Sequence, residues 1–338
     1  MAYKFTNISV LIVDSQPPLI ELIRGVLQMF RVQKIYVAHD GEKARKLFYE
    51  TKPDLLIVDW ELVDMNGLDF AKTIRSSPEN PFVPIIFMTA FTSKQRVTEA
   101  RDSGITEFMA KPFTVGSLSD RIEAIVERPR QFVLTPDYRG PDRRRKRDES
   151  YQGVEMRAPS KEQDLITAEM GVFKTQKKLR DAKFVTPPNV LKQKMGSGGI
   201  DTNALAMAQK SLKSNTVNFK PIGIALVNAL DEGLQNSKNG NVSSEAAIEF
   251  MLYPSVQLKA QGDLFHYPLV TRIADILVNY LETVEGTDKD VFEIVESHIT
   301  AITFVLMNNI TDDGGAHGKE LRESLIDVCD RYYKTRNL

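Results

Sequence analysis

The chain has 338 residues, of which 42% are hydrophobic and 26% charged, and its formal net charge is −1. That length exceeds one typical domain, and the single cysteine, Cys329, excludes a disulfide framework. No apolar run approaches the roughly 20 residues needed to span a bilayer, so we expect a cytoplasmic protein with more than one domain.

The first part of the chain alternates between short apolar runs and helical patterns. Leu19, Leu22, Ile23 and Val26, for example, fall on one helical stripe. Apolar runs this short are typical of strands buried on both faces of a parallel sheet. We therefore predict a doubly wound α/β domain, with strands at Val10–Val13, Ile35–Ala38, Leu55–Val58, Ile85–Met88 and Ile105–Ala110.

Polar side chains follow four of the predicted strands. Asp14, Asp59, Thr89 and Lys111 stand at the ends of strands one, three, four and five. The carboxyl ends of parallel strands form the ligand-binding edge of such a sheet, so these side chains should meet. A carboxylate nucleophile, a hard cation such as Mg²⁺, a hydroxyl and a lysine together suit the binding and transfer of a phosphoryl group.

These segments resemble the receiver domain of bacterial two-component response regulators, over about residues 5–127. The matching stretches are Val10-Leu-Ile-Val-Asp14, Leu56-Ile-Val-Asp59-Trp60 with Gly67 downstream, Ile86-Phe-Met-Thr89-Ala90 and Phe108-Met-Ala-Lys111-Pro112-Phe113. The resemblance implies a (βα)5 flavodoxin-like fold for residues 1–127 and a phosphoryl group transferred from a histidine kinase or phosphotransfer protein.

The resemblance also implies a role for each site residue. Asp59 would be the phospho-acceptor, with Thr89 and Lys111 as its hydroxyl and cationic partners. Asp14, Asp59 and the backbone carbonyl of Glu61 would bind Mg²⁺. Thr89 and Phe108 would form the conformational switch, and Lys111-Pro112 would be a cis peptide.

One position departs from the receiver pattern. Receivers usually carry two adjacent acids after the first strand, whereas this chain reads Asp14-Ser15. A serine offers a neutral oxygen and removes one negative charge, so we expect Mg²⁺ to bind less tightly. This departure keeps open a second interpretation, a pseudo-receiver scaffold that acts without phosphorylation.

Residues 128–202 have the composition of a basic, largely disordered linker. Arg143–Arg147 is a cationic run, and Pro187-Pro188 and Gly196-Ser-Gly-Gly199 interrupt regular structure. The cationic run suits nucleic acid, anionic lipid or an acidic protein surface. Because no aromatic residues are interleaved with the run and no DNA-binding motif accompanies it, we favour a solvated segment and expect no nucleic-acid partner. The Gly140-Pro-Asp-Arg-Arg-Arg145 stretch is similar to tails that follow receivers in α-proteobacteria.

Residues 203–338 predict an antiparallel helical bundle. Helices are indicated at 216–237, Ala246–Gly262, Leu269–Val284, about Val291–Leu306 and Glu320–Tyr333. His298 lies on an apolar stripe and is expected in the core, while His39, His266 and His317 show no metal-ligand spacing.

One bundle helix is similar to the signature helix of histidine phosphotransfer (HPt) domains. The similarity covers Ser255–Gly262, followed by Phe265-His-Tyr-Pro268, and is degenerate. Val256 occupies the place of the phospho-accepting histidine, three residues before Lys259, so relay chemistry through this helix is expected to be lost. We expect Val256 on an accessible face beside Lys259, where a partner docks.

The sequence therefore predicts a response regulator of a phosphorelay, a signalling protein rather than an enzyme, whose helical bundle contacts other signalling proteins. The alternative is the phosphorylation-independent scaffold. An aspartate-nucleophile phosphatase using Asp59 and Glu61 fits less well, because that class normally has a second aspartate two positions after the first, where this chain has Glu61.

Overall fold

The protein is represented by a computed structural model that describes residues 2–91, 94–142 and 182–336. The predicted α/β domain is confirmed. Its sheet is entirely parallel, in the order β2-β1-β3-β4-β5. The strands are β1 (Ser9–Val13), β2 (Lys34–Ala38), β3 (Leu55–Asp59), β4 (Ile85–Thr89) and β5 (Glu107–Ala110).

Five helices cover the two faces of this sheet. They are α1 (Pro17–Met29), α2 (Gly41–Thr51), α3 (Gly67–Ser76), α4 (Lys94–Asp102) and α5 (Val115–Glu127). Short polar side chains begin several of them. Asp40 accepts a hydrogen bond from the Lys43 amide at the start of α2, and Thr114 forms a capping box with Ser117 at the start of α5.

The central strands are buried on both faces, as their composition predicts. Alternate side chains of β1 enter two different apolar clusters. Val10 and Ile12 pack with residues of α1 and α5, while Leu11 and Val13 pack with residues of α2 and α3. This two-sided burial fixes the strand register and therefore the positions of the residues at the strand ends.

The described parts of segment 128–202, predicted to be largely disordered, contain regular elements. Three short strands form an antiparallel sheet in the order β7-β6-β8. Helix α6 follows, and its Leu191 and Met195 are buried in the core. Local composition did not indicate these elements because they are stabilised by packing on the α/β domain. Their bounds are β6 (Phe132–Leu134), β7 (Arg139–Pro141), β8 (Lys183–Val185) and α6 (Val190–Met195). The Arg143–Arg147 run lies outside the described residues.

The C-terminal part is helical, as predicted. Its helices are α7 (Thr202–Lys213), α8 (Phe219–Lys238), α9 (Ser244–Gln261), α10 (Pro268–Leu281), α11 (Lys289–Met307) and α12 (Gly315–Arg336). Helix α9 packs mainly against α8 and α10, and α11 packs against α8 and α10. The additional helix α7 lies on α1 and α5, and so joins the bundle to the α/β domain. No helix among the described residues has the length and hydropathy of a membrane span.

The expected exposure of Val256 is wrong. Val256 is only 4% exposed and belongs to an apolar cluster that also contains Trp60 and Phe91 of the α/β domain. It is buried because α9 is covered by α8 and α10 on one side and meets the α/β domain on another. Lys259 is also buried, and its ammonium lies 2.6 Å from the carboxylate of Asp275 on α10.

Candidate functional site

The carboxyl edge of the parallel sheet brings the predicted site residues together. Asp59 and Thr89 are the last residues of β3 and β4, while Asp14 and Lys111 directly follow β1 and β5. All four side chains are buried, and Asp59 is only 3% exposed. Neighbouring parallel strands therefore place two carboxylates, a hydroxyl and an ammonium at one edge.

Lys111 joins the two carboxylates. Its Nζ lies 2.8 Å from Asp59 Oδ1 and 2.9 Å from Asp14 Oδ2. Burial disfavours the charged ammonium, but the two carboxylates outweigh burial and raise the pKa of Lys111. Lysine therefore stays cationic here. The Lys111–Pro112 peptide is cis, as the resemblance implies.

Asp59 is held through one oxygen and leaves the other without a partner. Oδ1 accepts from the Trp60 amide at 2.7 Å as well as from Lys111. Oδ2 is buried and has no hydrogen-bond partner among the described residues. Burial raises the pKa of Asp59 above its usual range, and the Lys111 cation opposes that rise. The free oxygen is the atom available to a ligand.

Ser15 and Glu61 lie beside the Asp59 carboxylate and the Lys111 ammonium. The Ser15 hydroxyl is 3.5 Å from the backbone carbonyl oxygen of Glu61, toward which it is oriented as donor. Burial and the Asp59 carboxylate raise the pKa of the Glu61 side chain to about 7. The backbone oxygen of Glu61, its side chain and the hydroxyl of Ser15 thus share one side of the pocket.

The two predicted switch residues have different environments. The Thr89 hydroxyl accepts from the Phe91 amide at 2.9 Å and is buried. Phe108 is half-buried and packs against the same apolar cluster that contains Trp60 and Phe91. Thr89 ends β4, and Phe108 lies on β5 three residues before Lys111.

Gly67 supports the loop after β3. A Cβ at this position would lie 2.0 Å from the backbone oxygen of Asp59, so the close approach requires a glycine. The Gly67 amide donates to the Trp60 carbonyl at 2.7 Å. This contact fixes the backbone that carries Asp59.

Helix α9 closes the pocket. Val256, Gln257 and Ala260 line a cavity whose other walls include Asp59, Thr89 and Lys111. The volume of the cavity is about 10 Å³, roughly the space for the centre of one water molecule. One turn earlier on α9, Tyr253 is half-buried; burial raises the pKa of its hydroxyl, and Ser15 and Gln16 oppose that rise.

Sequence reasoning placed the α/β residues of the site but missed this helix as part of it. The available signal was the composition of α9 itself, since Met251, Leu252, Val256, Leu258 and Ala260 are apolar without forming a single stripe. A helix that is apolar on several sides is covered on several sides.

None of the three histidines of the bundle lines this pocket. His298 is fully buried, as predicted, and its Nδ1–H donates to the Ile294 carbonyl at 2.8 Å. His266 contacts the Asn215 carbonyl through Nε2, and His317 is exposed beside Glu320. No group of three or more acidic, histidine or cysteine side chains in the described ranges is arranged to hold a metal ion.

Comparison with known proteins agrees with this geometry. Residues 10–123 match the family described as the response regulator receiver domain. The chain is 28% identical to the chemotaxis protein CheY-3 of Vibrio cholerae over 122 residues, which cover 36% of this chain and 94% of that protein. It is 31% identical to the chemotaxis protein CheY1 of Helicobacter pylori over 117 residues, which cover 34% of this chain and 94% of that protein.

Among solved structures, the chain is similar to the chemotaxis response regulator CheY4 of Vibrio cholerae, with 26% identity and a TM-score of 0.33. That match covers 35% of this chain and 98% of CheY4. The parallel sheet, the acidic and cationic residues at its carboxyl edge and the family match over residues 10–123 lead to one identification. Through its N-terminal domain, this chain belongs to the response regulator receiver family.

Proposed function

We propose that the protein is a response regulator that accepts a phosphoryl group on Asp59 and signals through protein–protein contacts. The observation that carries the proposal is the Lys111 ammonium held between Asp14 and Asp59 at the ends of three strands. The donor would be a histidine kinase or a phosphotransfer protein, as in two-component phosphorelays.

The proposed reaction forms an acyl phosphate. An oxygen of the Asp59 carboxylate attacks phosphorus, and the phosphorus–nitrogen bond of a phosphohistidine donor breaks. The electron pair stays on the departing imidazole nitrogen, which takes up a proton. Lys111 and Thr89 would bind the phosphoryl oxygens, because an ammonium and a hydroxyl both donate hydrogen bonds to them.

The oxygen atoms around Asp59 fit a hard divalent cation. Asp59 Oδ2 is buried without a hydrogen-bond partner in the described structure, and the Glu61 carbonyl lies on the side of Ser15. Asp14, Asp59 and the Glu61 carbonyl would hold Mg²⁺, which when bound offsets the negative charge of the incoming phosphoryl group. Ser15 contributes no charge, so we infer a weaker site than one with two adjacent acids.

The helical bundle would act as a docking module that resembles an HPt domain without its histidine. Val256 stands where that histidine would be, and Lys259 is engaged by Asp275. Valine cannot carry a phosphoryl group. Val256 and Lys259 are both buried in this structure, so the bundle would recognise receivers or kinases through other surfaces.

A specific observation supports a second candidate function, the scaffold that acts without phosphorylation. Ser15 replaces an acid, and the cavity beside Asp59 has only about 10 Å³. A phosphatase using Asp59 and Glu61 has less support, because the chain has a glutamate where that class normally has its second aspartate.

The discriminating experiment is intact-mass analysis after incubation with acetyl phosphate and Mg²⁺. We expect wild type and Asp69→Asn, which changes an exposed carboxylate on α3, to gain one phosphoryl group. Asp59→Asn should gain none. Labelling that persists in Asp59→Asn rules out the assigned acceptor, whereas no labelling of any variant favours the scaffold.

A further inference from the structure

We propose that α9 is an intramolecular cap on the phosphoacceptor pocket, so that docking of α9 and phosphorylation of Asp59 exclude each other. The proposal rests on the proposed function and adds a means of regulating it. The occupant of the α9 surface is the receiver domain of the same chain, as the following contacts indicate.

The first argument is space. The cavity between Asp59 and Val256 is about 10 Å³, which is about the volume needed for a single water molecule. A phosphoryl group brings a phosphorus atom with three terminal oxygens, and its donor must approach in line behind it. With α9 in place, neither fits, and Asp59 has almost no contact with solvent.

The second argument is that side chains of α9 line the pocket itself. Val256, Gln257 and Ala260 lie over the side that Asp59, Thr89 and Lys111 line. Tyr253, one turn earlier on α9, is half-buried near Ser15 and Gln16. Helix α9 therefore covers the residues expected to bind the phosphoryl group.

The third argument is a polar contact at the rim. Arg96 on α4 forms an ion pair with Glu249 on α9 at 2.9 Å. The same guanidinium lies 4.8 Å from the ring centre of Phe91 and 5.5 Å from that of Trp60. Because Glu249 is 61% exposed, this ion pair is weak and can open reversibly.

The packing of α7 keeps an opened cap close to the receiver. Ala208 and Leu212 of α7 are buried in the cluster that contains α1 and α5 residues. Residues 214–218 then connect α7 to α8. The bundle can move about this connection while α7 stays in place, which gives α9 a high effective concentration at the pocket.

Mutual exclusion has a thermodynamic consequence. The free energy by which a phosphoryl group on Asp59 favours the open form equals the free energy by which docking of α9 disfavours phosphorylation. Phosphorylation therefore exposes Tyr253, Val256 and Gln257 together, and these residues become available to another protein.

The test uses the full chain with a charge reversal at the rim. Glu249→Arg places two cations together, and Arg96→Glu/Glu249→Arg restores an ion pair with reversed polarity. Glu245→Arg is the control, because Glu245 is exposed one turn earlier on α9 and forms no ion pair among the described residues. Val256→Asp is a second opening variant, since it puts a carboxylate against Asp59 and Glu61.

Two measurements are made on each variant. One is the rate of Asp59 labelling by acetyl phosphate with Mg²⁺, and the other is acrylamide quenching of Trp60, the only tryptophan, which lines the same cavity. We expect Glu249→Arg to raise the labelling rate by about fivefold or more and to increase quenching. The double variant should restore both values, and Glu245→Arg should match wild type. Circular dichroism checks that each variant is folded.

The outcomes separate the cap from the proposed function. Wild-type labelling rates and wild-type quenching in both folded opening variants would overturn the cap. Increased quenching with no labelling in any variant would support the cap and refute phosphorylation at Asp59. If the labelling rate and the quenching increase only in Val256→Asp, the cap is supported, but the Arg96–Glu249 ion pair does not hold it closed.

Discussion

At the scale of single residues, Ser15 stands where receivers usually carry a second acid after the first strand. It lies beside the Glu61 carbonyl oxygen and contributes a neutral hydroxyl at a position where a carboxylate would bind a cation directly. We expect Ser15→Asp to tighten Mg²⁺ binding by about tenfold or more, which corresponds to about 1.4 kcal/mol. The measurement is a Mg²⁺ titration followed by Trp60 fluorescence.

Ser15→Asn is the matched control for that titration, since asparagine has the size of aspartate without its charge. Its Mg²⁺ affinity should stay close to that of wild type. Equal affinities for Ser15→Asp and Ser15→Asn would show that the charge at this position does not limit cation binding.

Gly67 gives a second prediction, which concerns the loop behind Asp59. Gly67→Ala places a Cβ 2.0 Å from the Asp59 carbonyl oxygen, so the backbone must shift. We expect the free energy of unfolding to fall by about 1–3 kcal/mol, together with slower labelling of Asp59. Chemical denaturation and intact-mass analysis measure the two effects.

Gly25 in α1 provides the comparison for Gly67, because a Cβ there meets nothing within 4 Å. Gly25→Ala should raise stability by about 0.5–1 kcal/mol, as expected for a helical glycine. A loss of stability in both variants would mean that the close approach at Gly67 is not the cause.

His298 predicts how stability depends on pH. Burial lowers the pKa of His298 from 6.5 to about 4, because a proton on Nε2 would find no acceptor in the described structure. The unfolded chain binds this proton below about pH 6.5, whereas the folded chain does not until about pH 4. Stability present above pH 6.5 is therefore lost as the pH falls between these values, by about 3 kcal/mol.

Denaturation of wild type and His298→Leu across this pH range isolates the contribution of His298. The wild-type protein should lose about 3 kcal/mol more than the variant. Parallel curves for wild type and His298→Leu would contradict the assignment of a neutral core histidine.

The sequence predicted part of the site at this scale. Asp14, Asp59, Thr89 and Lys111 follow strands whose apolar composition is visible locally, so their meeting follows from sheet geometry. Val256 and Gln257 enter the same pocket from a helix roughly 200 residues further along the chain than Asp59. Their position depends on how two domains pack, which no local pattern records.

At the scale of elements, Arg75 on α3 anchors the short strands that follow the receiver. Its guanidinium donates to the carbonyl oxygens of Gly104, Pro81 and Val83 and to the hydroxyl of Thr106. It also lies 5.3 Å from the ring centre of Phe132 on β6. Burial lowers the pKa of Arg75 to about 9, so it remains charged at neutral pH.

Arg75→Lys tests this anchor. A lysine ammonium has three donors and no planar group to stack on Phe132, so buried acceptors are left unpaired. We expect the free energy of unfolding to fall by about 2 kcal/mol or more, measured by chemical denaturation. Arg101→Lys, at an exposed position on α4, should stay within about 0.5 kcal/mol of wild type.

Segment 128–202 was difficult to predict because its short elements are anchored by residues distant in the sequence. The strands β6, β7 and β8 have three residues each, too few for an alternating pattern to be recognised. These strands are held in place by contacts of Phe132 with Arg75 and with Phe82, whose ring centre is 5.1 Å from that of Phe132. By contrast, the long helices of the bundle carry several turns of apolar periodicity and were predicted.

At the scale of the whole molecule, the receiver and the bundle share their apolar cores. Each of the two clusters of buried apolar side chains contains residues from both parts. Helix α7 makes one of these connections, since it packs on α1 and α5 and leads directly into α8. The shared core suggests that the two parts unfold together even though α9 moves in regulation.

Leu212 and Met207 of α7 offer a matched pair for testing this cooperativity. Leu212 is 6% exposed within the shared cluster, whereas Met207 is 60% exposed on the same helix. Leu212→Ala should lower the free energy of unfolding by about 2–5 kcal/mol, and Met207→Ala by no more than about 0.5 kcal/mol. Hydrogen exchange of the buried β1, β3 and β4 amides reports on the receiver, and far-ultraviolet circular dichroism mainly on the bundle helices.

In Leu212→Ala both signals should shift to the same lower denaturant concentration, because loss of the α7 contact weakens both parts of one cooperative unit. If the circular dichroism transition moves while exchange of the β1, β3 and β4 amides keeps its wild-type dependence on denaturant, the receiver is stable without the bundle. The shared clusters would then mark a surface contact between independent domains, and α7 would serve only as a tether.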